Sequence, residues 1–247
     1  MSFLRYLFFC AILSCGGLVA VERRELPIAL KTSLIIPCYV AHSGVLYRLL
    51  QCYESQTVRP NEVIIAISSV NDWQNIKIDE RILTTFWSFP LRLLIDPHPY
   101  SASGNRNRAS NLAQGDILIY QDADDLPHPR RIEVIKYFFE HFDITYLTHH
   151  YIFEKGSFPN FTDCESMSWY TPCYFSPNVG CNPGIAIARQ LYEQIQWPEI
   201  GHGEDAWFNQ QIFSTGSSGM VVEFPLYQYF RRNPPAYIDS PRFEKAQ

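Results

Sequence analysis

Gln121-Asp122-Ala123-Asp124-Asp125, running directly on from Ile117-Leu118-Ile119-Tyr120, is the stretch that decides the fold. The apolar run is short, β-rich and bounded by polar residues, so it reads as a buried strand. A strand that ends in carboxylates delivers negative charge to the C-terminal edge of a sheet. Open α/β sheets bind their ligands at that edge. Three acids in four positions repel one another, and a divalent cation relieves the repulsion. Hard oxygen ligands suit Mg²⁺ or Mn²⁺, which in turn can hold a diphosphate. Taken alone, the motif also reads as a helix N-terminal cap, because Leu126-Pro127 and the periodic stretch after it look like a helix start.

Outward from this strand the chain alternates. Thr32–Pro37 reads as a first strand ended by proline, Glu62–Ile67 as a second, and Leu91–Ile95 as a third. Helical spacing over Gly44–Ser55 places Val45, Leu46, Leu49, Leu50 and Tyr53 on one face. Further helices are predicted over Ile78–Trp87, Asn105–Ala113 and Arg130–Phe142, with Gly115 as a stop signal and a strand at Ile144–Leu147. Continuous apolar strands fit a parallel sheet covered on both faces. Strands alternating with helices imply a doubly wound, mostly parallel α/β sheet flanked by helices. The second half is less regular. It offers a loop over Phe153–Cys181, a strand over Gly184–Ala188, and helices over Gln190–Ile195 and Glu204–Phe213.

Composition bounds the rest. A chain of 247 residues with 47% hydrophobic content is long enough for one large domain, here 26–240. A net charge of -5 argues against a nucleic-acid partner, which would call for a basic face. Residues 1–25 read as a signal peptide or N-terminal membrane anchor: Arg5 precedes an uncharged, mostly apolar run from Tyr6 to Val21. That places the protein at a membrane or in a secretory lumen. The sequon Asn160-Phe161-Thr162 agrees weakly with a lumen. Beyond the leader lie Cys38, Cys52, Cys164, Cys173 and Cys181, an odd number without paired Cys-x-x-Cys spacing. A zinc site is therefore excluded, while a disulfide within the last three fits an oxidising lumen.

Several segments, taken together and in order, resemble family 2 glycosyltransferases of the GT-A fold. Ser33–Tyr39 resembles the opening strand-Pro-x-Tyr, and Glu54-Ser55-Gln56-Thr57 the Gln-Thr turn before the second strand. Arg106-Asn107 with Ala113-x-Gly115 resembles the Arg-Asn segment, and Gly115 stands at the family distance from Asp122. Asp122–Asp125 then corresponds to the Asp-x-Asp-Asp motif, Pro183–Arg189 to the strand ending in Arg, and Gly203-Glu204-Asp205 to the acidic motif that opens a helix. The resemblance covers roughly Thr32 to Asn233. It implies a metal-dependent inverting transfer of a sugar from a nucleoside-diphosphate sugar to a hydroxyl of a glycan, lipid or protein acceptor.

The residue roles follow from the resemblance. Asp124 is the direct ligand for Mn²⁺ or Mg²⁺. Asp122 is a second metal ligand, or touches the ribose or a metal-bound water. Pro37, Tyr39, Ser68, Asp72 and Arg106 face the nucleotide, and Asp205, with Glu204, is the catalytic base. His149 and His150 are candidates for a third metal ligand, His202 for an aid to the acceptor, and Arg231 and Arg232 for a phosphate clamp. Trp169, Tyr170, Tyr174 and Phe175 form a candidate acceptor platform. The chain departs from the family at Ile67–Asp72, where base-contacting Asp residues are usual, and at Phe230–Asn233, where a late histidine is missing. These departures keep one alternative open, a degenerate GT-A domain that binds sugar or protein without catalysis. Bland readings stand beside the sharp ones: a surface ion pair for Arg106, a helix cap for Glu204 and Asp205. A nucleotidyltransferase is disfavoured because no Lys or Arg precedes Arg48 in the loop after Pro37. A phosphatase fits poorly at Asp125-Leu126.

Overall fold

The computed structural model describes residues 29–68, 78–153, 157–158, 169–170, 184–200 and 203–230. Four parallel strands build its first half: β1 (Thr32–Tyr39), β2 (Glu62–Ser68), β3 (Leu91–Ile95) and β4 (Ile117–Tyr120). They lie in the order β3-β2-β1-β4. β1 and β2 are buried throughout except at Tyr39, because both faces of the sheet are covered. Successive side chains of a strand point to opposite faces, and two cores record this. Leu34, Ile36, Val63, Ile65 and Ile67 pack on one side with Leu46, Leu49, Leu50 and Tyr53 of α1 (Leu46–Glu54). Ile35, Ile64 and Ala66 pack on the other with Ala109 of α3 (Ala102–Leu112). Burial of each such aliphatic side chain contributes about 1.5–3 kcal/mol.

Between these helices lies the short α2, Arg81–Thr84, far shorter than the predicted Ile78–Trp87. Asp79 accepts from the Arg81 amide at 2.9 Å and fixes its start. Thr85 is already extended, and Phe86 is 93% exposed, so no apolar face continues. α3 starts three residues earlier than predicted, because the Ser101 hydroxyl caps it by accepting from Gly104 N at 3.0 Å. Ser103 and Gly104 read as loop residues, and the cap outweighs them.

The second half extends the same sheet. β8 (Ala186–Ala188) pairs antiparallel with β4, and β6 (Tyr146–Phe153) pairs antiparallel with β8. β9 (Gly219–Tyr229) runs parallel to β6. The short β5 (Leu126–Pro127) and β7 (Trp169–Tyr170) pair antiparallel with β9. The sheet is therefore mixed here, while its first half is purely parallel. β9 was not anticipated, because Pro225 and Glu223 interrupt its apolar pattern. β6 outruns the predicted Ile144–Leu147 because Thr148 and His149, polar by type, are buried inside it. The predicted helices at Arg130, Gln190 and Glu204 appear as α4 (Arg131–His141), α5 (Arg189–Gln194) and α6 (Glu204–Ser214).

From β1 the chain moves outward to β2 and β3 on one side and returns through α3 to β4 on the other, so the cleft at the C-terminal ends of β1 and β4 is a topological switch point. Tyr39, Ser68 and the Gln121–Asp125 loop all lie at that edge. Among the described residues no helix is long and apolar enough to cross a membrane; the apolar run Tyr6–Val21 lies outside them. Cys38 and Cys52 are free thiols, and the other cysteines, the sequon and Asp72 also lie outside the described residues.

Gly115 enters β4 against the backbone of β1. A Cβ there would stand 2.6–2.8 Å from Ser33 Oγ, Ser33 N and Thr32 C. The Gly115 amide also donates to Ser33 Oγ at 2.8 Å, and Ser33 Oγ donates to the buried Glu62 at 2.6 Å. Gly115→Ala should therefore force β1 and β4 apart and lower stability by about 1–3 kcal/mol, measured by urea denaturation.

Candidate active site

The site grows from one buried cation. Arg106 lies in the middle of α3, only 2% exposed, and points into the cleft between β4 and the start of α6. Its Nη2 stands 2.9 Å from Asp122 Oδ1. Its Nη1 stands 3.4 Å from Glu204 Oε1 and 3.5 Å from Asp205 Oδ1. The guanidinium also lies over the Trp197 ring, 4.3 Å from its centroid, and Trp197 stacks on Phe208 at 3.9 Å. Burial opposes the charge of Arg106. Asp122, then Asp205 and Glu204, outweigh it and raise its pKa above the ordinary arginine value. The surface-ion-pair reading of Arg106 is thereby overturned: the residue is a buried hub.

Glu204 and Asp205 occupy the first turn of α6, whose N-cap is Gly203 in the left-handed region at φ 77°. Only glycine takes that φ without strain. No side-chain cap bond closes this end, and both carboxylates instead reach Arg106. Burial raises the Asp205 pKa to about 7; Arg106 pulls it down, while Asp122 and Glu204 push it further up. Asp205 Oδ1 and Arg106 Nε are buried without a hydrogen-bond partner.

The acidic loop follows β4. Asp122, Asp124 and Asp125 each offer an oxygen within 4.8 Å of the others. The donor set is all carboxylate, which fits Mg²⁺ or Mn²⁺. Their surroundings differ. Asp122 and Asp124 are partly exposed, with side chains 25% and 19% accessible. Asp124 also lies 3.5 Å from His42 Nδ1. Asp125 is buried; its Oδ2 accepts from the Tyr227 hydroxyl at 2.7 Å and its Oδ1 from Phe230 N at 2.8 Å. Burial, then Asp122, raise the Asp125 pKa. Leu126-Pro127 continues as a strand, not a helix, so the helix-cap reading of the loop fails.

A second buried arginine frames the loop. Arg131 opens α4 and donates to Tyr120 O (2.9 Å), Gly184 O (2.6 Å), Gln121 Oε1 (3.1 Å), Tyr53 Oη (2.9 Å) and His149 Nε2 (3.3 Å). Among the described residues all of these acceptors are neutral. The turn residue Gln56 clamps the approach to α4, donating to His128 O at 2.7 Å and accepting from Ile132 N at 3.2 Å.

The remaining sequence candidates fall as follows. Pro37 lies within β1, and Tyr39 is exposed at its end, edge-on to His42. Ser68 is buried, and its hydroxyl donates to Tyr100 O and accepts from Asn105 Nδ2 at 2.8 Å, so it serves the joint between β2 and α3. His149 is buried in β6 with its Nε2 taken by Arg131. Burial, then Arg131, lower its pKa to about 3. It stays neutral and is not part of the acidic cluster. His150 is exposed on the same strand. Trp169 and Tyr170 belong to β7 rather than a loop. Tyr174, Phe175, His202, Arg231 and Arg232 lie outside the described residues. Sequence reasoning missed Arg131, Tyr227 and Trp197, whose only signal was a polar or aromatic residue placed next to an apolar element.

The parallel half-sheet, the acidic loop at its switch point and the carboxylates at the start of α6 have the arrangement of the GT-A fold. Residues 33–189 match Glycosyl transferase family 2, and the chain belongs to that family. The amylovoran biosynthesis glycosyltransferase AmsB of Erwinia amylovora is 29% identical over 102 residues, which are 41% of this chain and 33% of AmsB. The structure of S. aureus TarS 1-349 in complex with UDP superposes with a TM-score of 0.63 at 19% identity, over 81% of this chain and 60% of that one. The mannosyltransferase PcManGT from Pyrobaculum calidifontis, in complex with GDP-Man and Mn²⁺, gives 0.61 at 18% identity, over 88% and 62%. The matched part of this chain thus spans a third of the curated relative and about three-fifths of these solved chains.

Removing Arg106 leaves three carboxylates facing one another in a half-buried cleft. Arg106→Met should cost about 3–5 kcal/mol at pH 8, the usual range for breaking a buried pair. The loss should shrink as the pH falls to 5, because protonation relieves the repulsion. Urea denaturation at the two pH values checks both statements.

Proposed function

We propose that this chain is a metal-dependent inverting glycosyltransferase, moving a sugar from a nucleoside-diphosphate sugar to a hydroxyl of a glycan, lipid or protein acceptor. One observation carries the reading. Arg106 joins Asp122, at the donor edge, to Glu204 and Asp205, across the cleft. In this reading Arg106 would offer a fixed positive charge to the departing diphosphate, and Asp205 a carboxyl of raised pKa to the arriving hydroxyl. The relatives point the same way: one solved neighbour holds UDP and another GDP-Man with Mn²⁺.

Asp122 and Asp124 would hold the cation, which would neutralise the leaving diphosphate as a Lewis acid. Asp205 accepts the proton of the acceptor hydroxyl. The acceptor oxygen then attacks the anomeric carbon from the face opposite the diphosphate. The new C–O bond forms as the bond to the diphosphate oxygen breaks, and the diphosphate leaves with the electron pair. A base near the working pH balances ionised fraction against proton affinity, and a pKa of about 7 meets that condition. Glu204 holds Arg106 in place beside it. Tyr39, exposed at the end of β1, offers a ring on which the base of a nucleotide would stack. The apolar run Tyr6–Val21 supports a signal peptide or membrane anchor, and with it a membrane or lumenal site of action.

Isothermal titration with UDP, GDP and CMP, with and without Mn²⁺, tests the assignment. Metal-dependent binding of one nucleotide, lost in Asp124→Ala, is the expected result. A folded protein that binds none of them overturns it in favour of a degenerate binding module.

The base makes a separate prediction. Transfer should rise with pH and level off above about 7, as Asp205 ionises. Asp205→Asn should lower kcat about 10²–10⁴-fold while leaving the donor's Kd nearly unchanged. The same raised pKa has a consequence for stability. In the unfolded chain the carboxyl ionises near the ordinary value, so this group's contribution is complete below that value and is lost as the pH rises through about 7. Asp205→Asn should flatten that part of the stability-versus-pH curve.

A further inference from the structure

Asp122, Asp124 and Asp125 look interchangeable by spacing, yet the structure gives the last of them a different job. Both oxygens of Asp125 are committed, one to the Tyr227 hydroxyl and one to the Phe230 amide. The same Tyr227 hydroxyl accepts from the Asp122 amide at 3.2 Å. One phenol therefore bridges the first and last residues of the acidic turn. Gln121 closes the other side, its Nε2 donating to Asp122 O at 2.9 Å and to Asp125 O at 3.1 Å. The ring of Tyr227 is fully buried, with the Arg131 guanidinium 5.4 Å and the His149 ring 6.1 Å from its centre.

We propose that Tyr227 is a positioning residue of the metal loop, and that Asp125 is a strut of that loop and not a ligand. Turning Asp125 onto a cation would strand a buried phenol and a backbone amide without acceptors. Holding it back leaves Asp122 and Asp124, the two partly exposed carboxylates, to face the cleft. Partners that orient a metal ligand commonly govern affinity as strongly as a tenfold to hundredfold change. The inference rests on the proposed metal dependence.

Titration of Mn²⁺ by electron paramagnetic resonance, in the presence of UDP and separately of GDP, tests it. Tyr227→Phe removes one oxygen and keeps the buried ring. It should weaken Mn²⁺ binding about tenfold. Asp125→Asn should weaken it by a similar factor, and the double variant should lose little more than either single one, since the two residues act through one contact. Asp124→Asn should lose far more. A core variant remote from the loop, Ile82→Val, should leave the Mn²⁺ Kd unmoved, which separates positioning from general loss of stability. Wild-type affinity in Tyr227→Phe overturns the proposal. So does a loss in Asp125→Asn as large as that in Asp124→Asn, and this arm decides alone if Tyr227→Phe does not fold. A wild-type protein that takes up no Mn²⁺ with either nucleotide overturns the metal reading and the strut together, whereas an unaffected Tyr227→Phe overturns the strut alone.

Discussion

A guanidinium withdrawn from water needs opposite charge around it, and this constraint organises the cleft. Arg106 is supplied with that charge from two sides, by the loop after β4 and by the first turn of α6. Neither side is near the other in sequence. Bringing them together on α3 converts a solvation requirement into geometry: Asp122 and the Glu204-Asp205 pair are set at a fixed separation by one side chain. The aromatic wall of Trp197 and Phe208 keeps the cation dry on its remaining face. In a dry site the attraction between the charges is far stronger than in water.

The acidic loop is held by a different kind of support. Arg131 spends its donors on carbonyls, a phenol, an amide oxygen and an imidazole, all neutral among the described residues. It fastens the end of β4 to the approach to β8 and to α1 without drawing a carboxylate away from the cleft. Gln56 performs a related task at the start of α4. The sequence pattern Gln-Thr after the first helix is thus a joint between α1 and α4.

The parallel half of the fold was legible because its strands are continuous apolar runs separated by capped helices. The acidic loop, Arg106 and the Glu204-Asp205 pair were legible as a series of short motifs in family order. Three kinds of element were not. β9 carries Pro225 and Glu223, and β6 carries Thr148 and His149, so alternation failed where tertiary pairing decided the structure. α2 was expected over Ile78–Trp87, yet Phe86 is left exposed, and the helix stops after one turn. Tyr227 and Trp197 act through partners about 100 residues or 90 residues away, and no local pattern encodes such a meeting. Ser68 was legible as a polar residue at the right edge, but its hydroxyl is spent on α3 and the Tyr100 carbonyl.

The irregular pairing of β6 with β9 has its own meaning. Up to His149 the partners advance together, with Leu147 opposite Met220 and His149 opposite Val222. Then His150 meets Pro225 and Tyr151 meets Tyr227, so β9 has taken up three additional residues. An odd insertion inverts the phase of a strand, because its side chains alternate with period two. Leu226 still joins Met220 and Val222 in one core, while Tyr227 beside it meets the acidic turn. The bulge works as a coupling in a shaft: it sets where along β6 the end of β9 arrives. Insertions and deletions are ordinarily tolerated at such irregular points, but here a change of one residue would turn the phenol to the opposite face. The length of this bulge therefore matters to the acidic turn as much as the identity of the residues it aims.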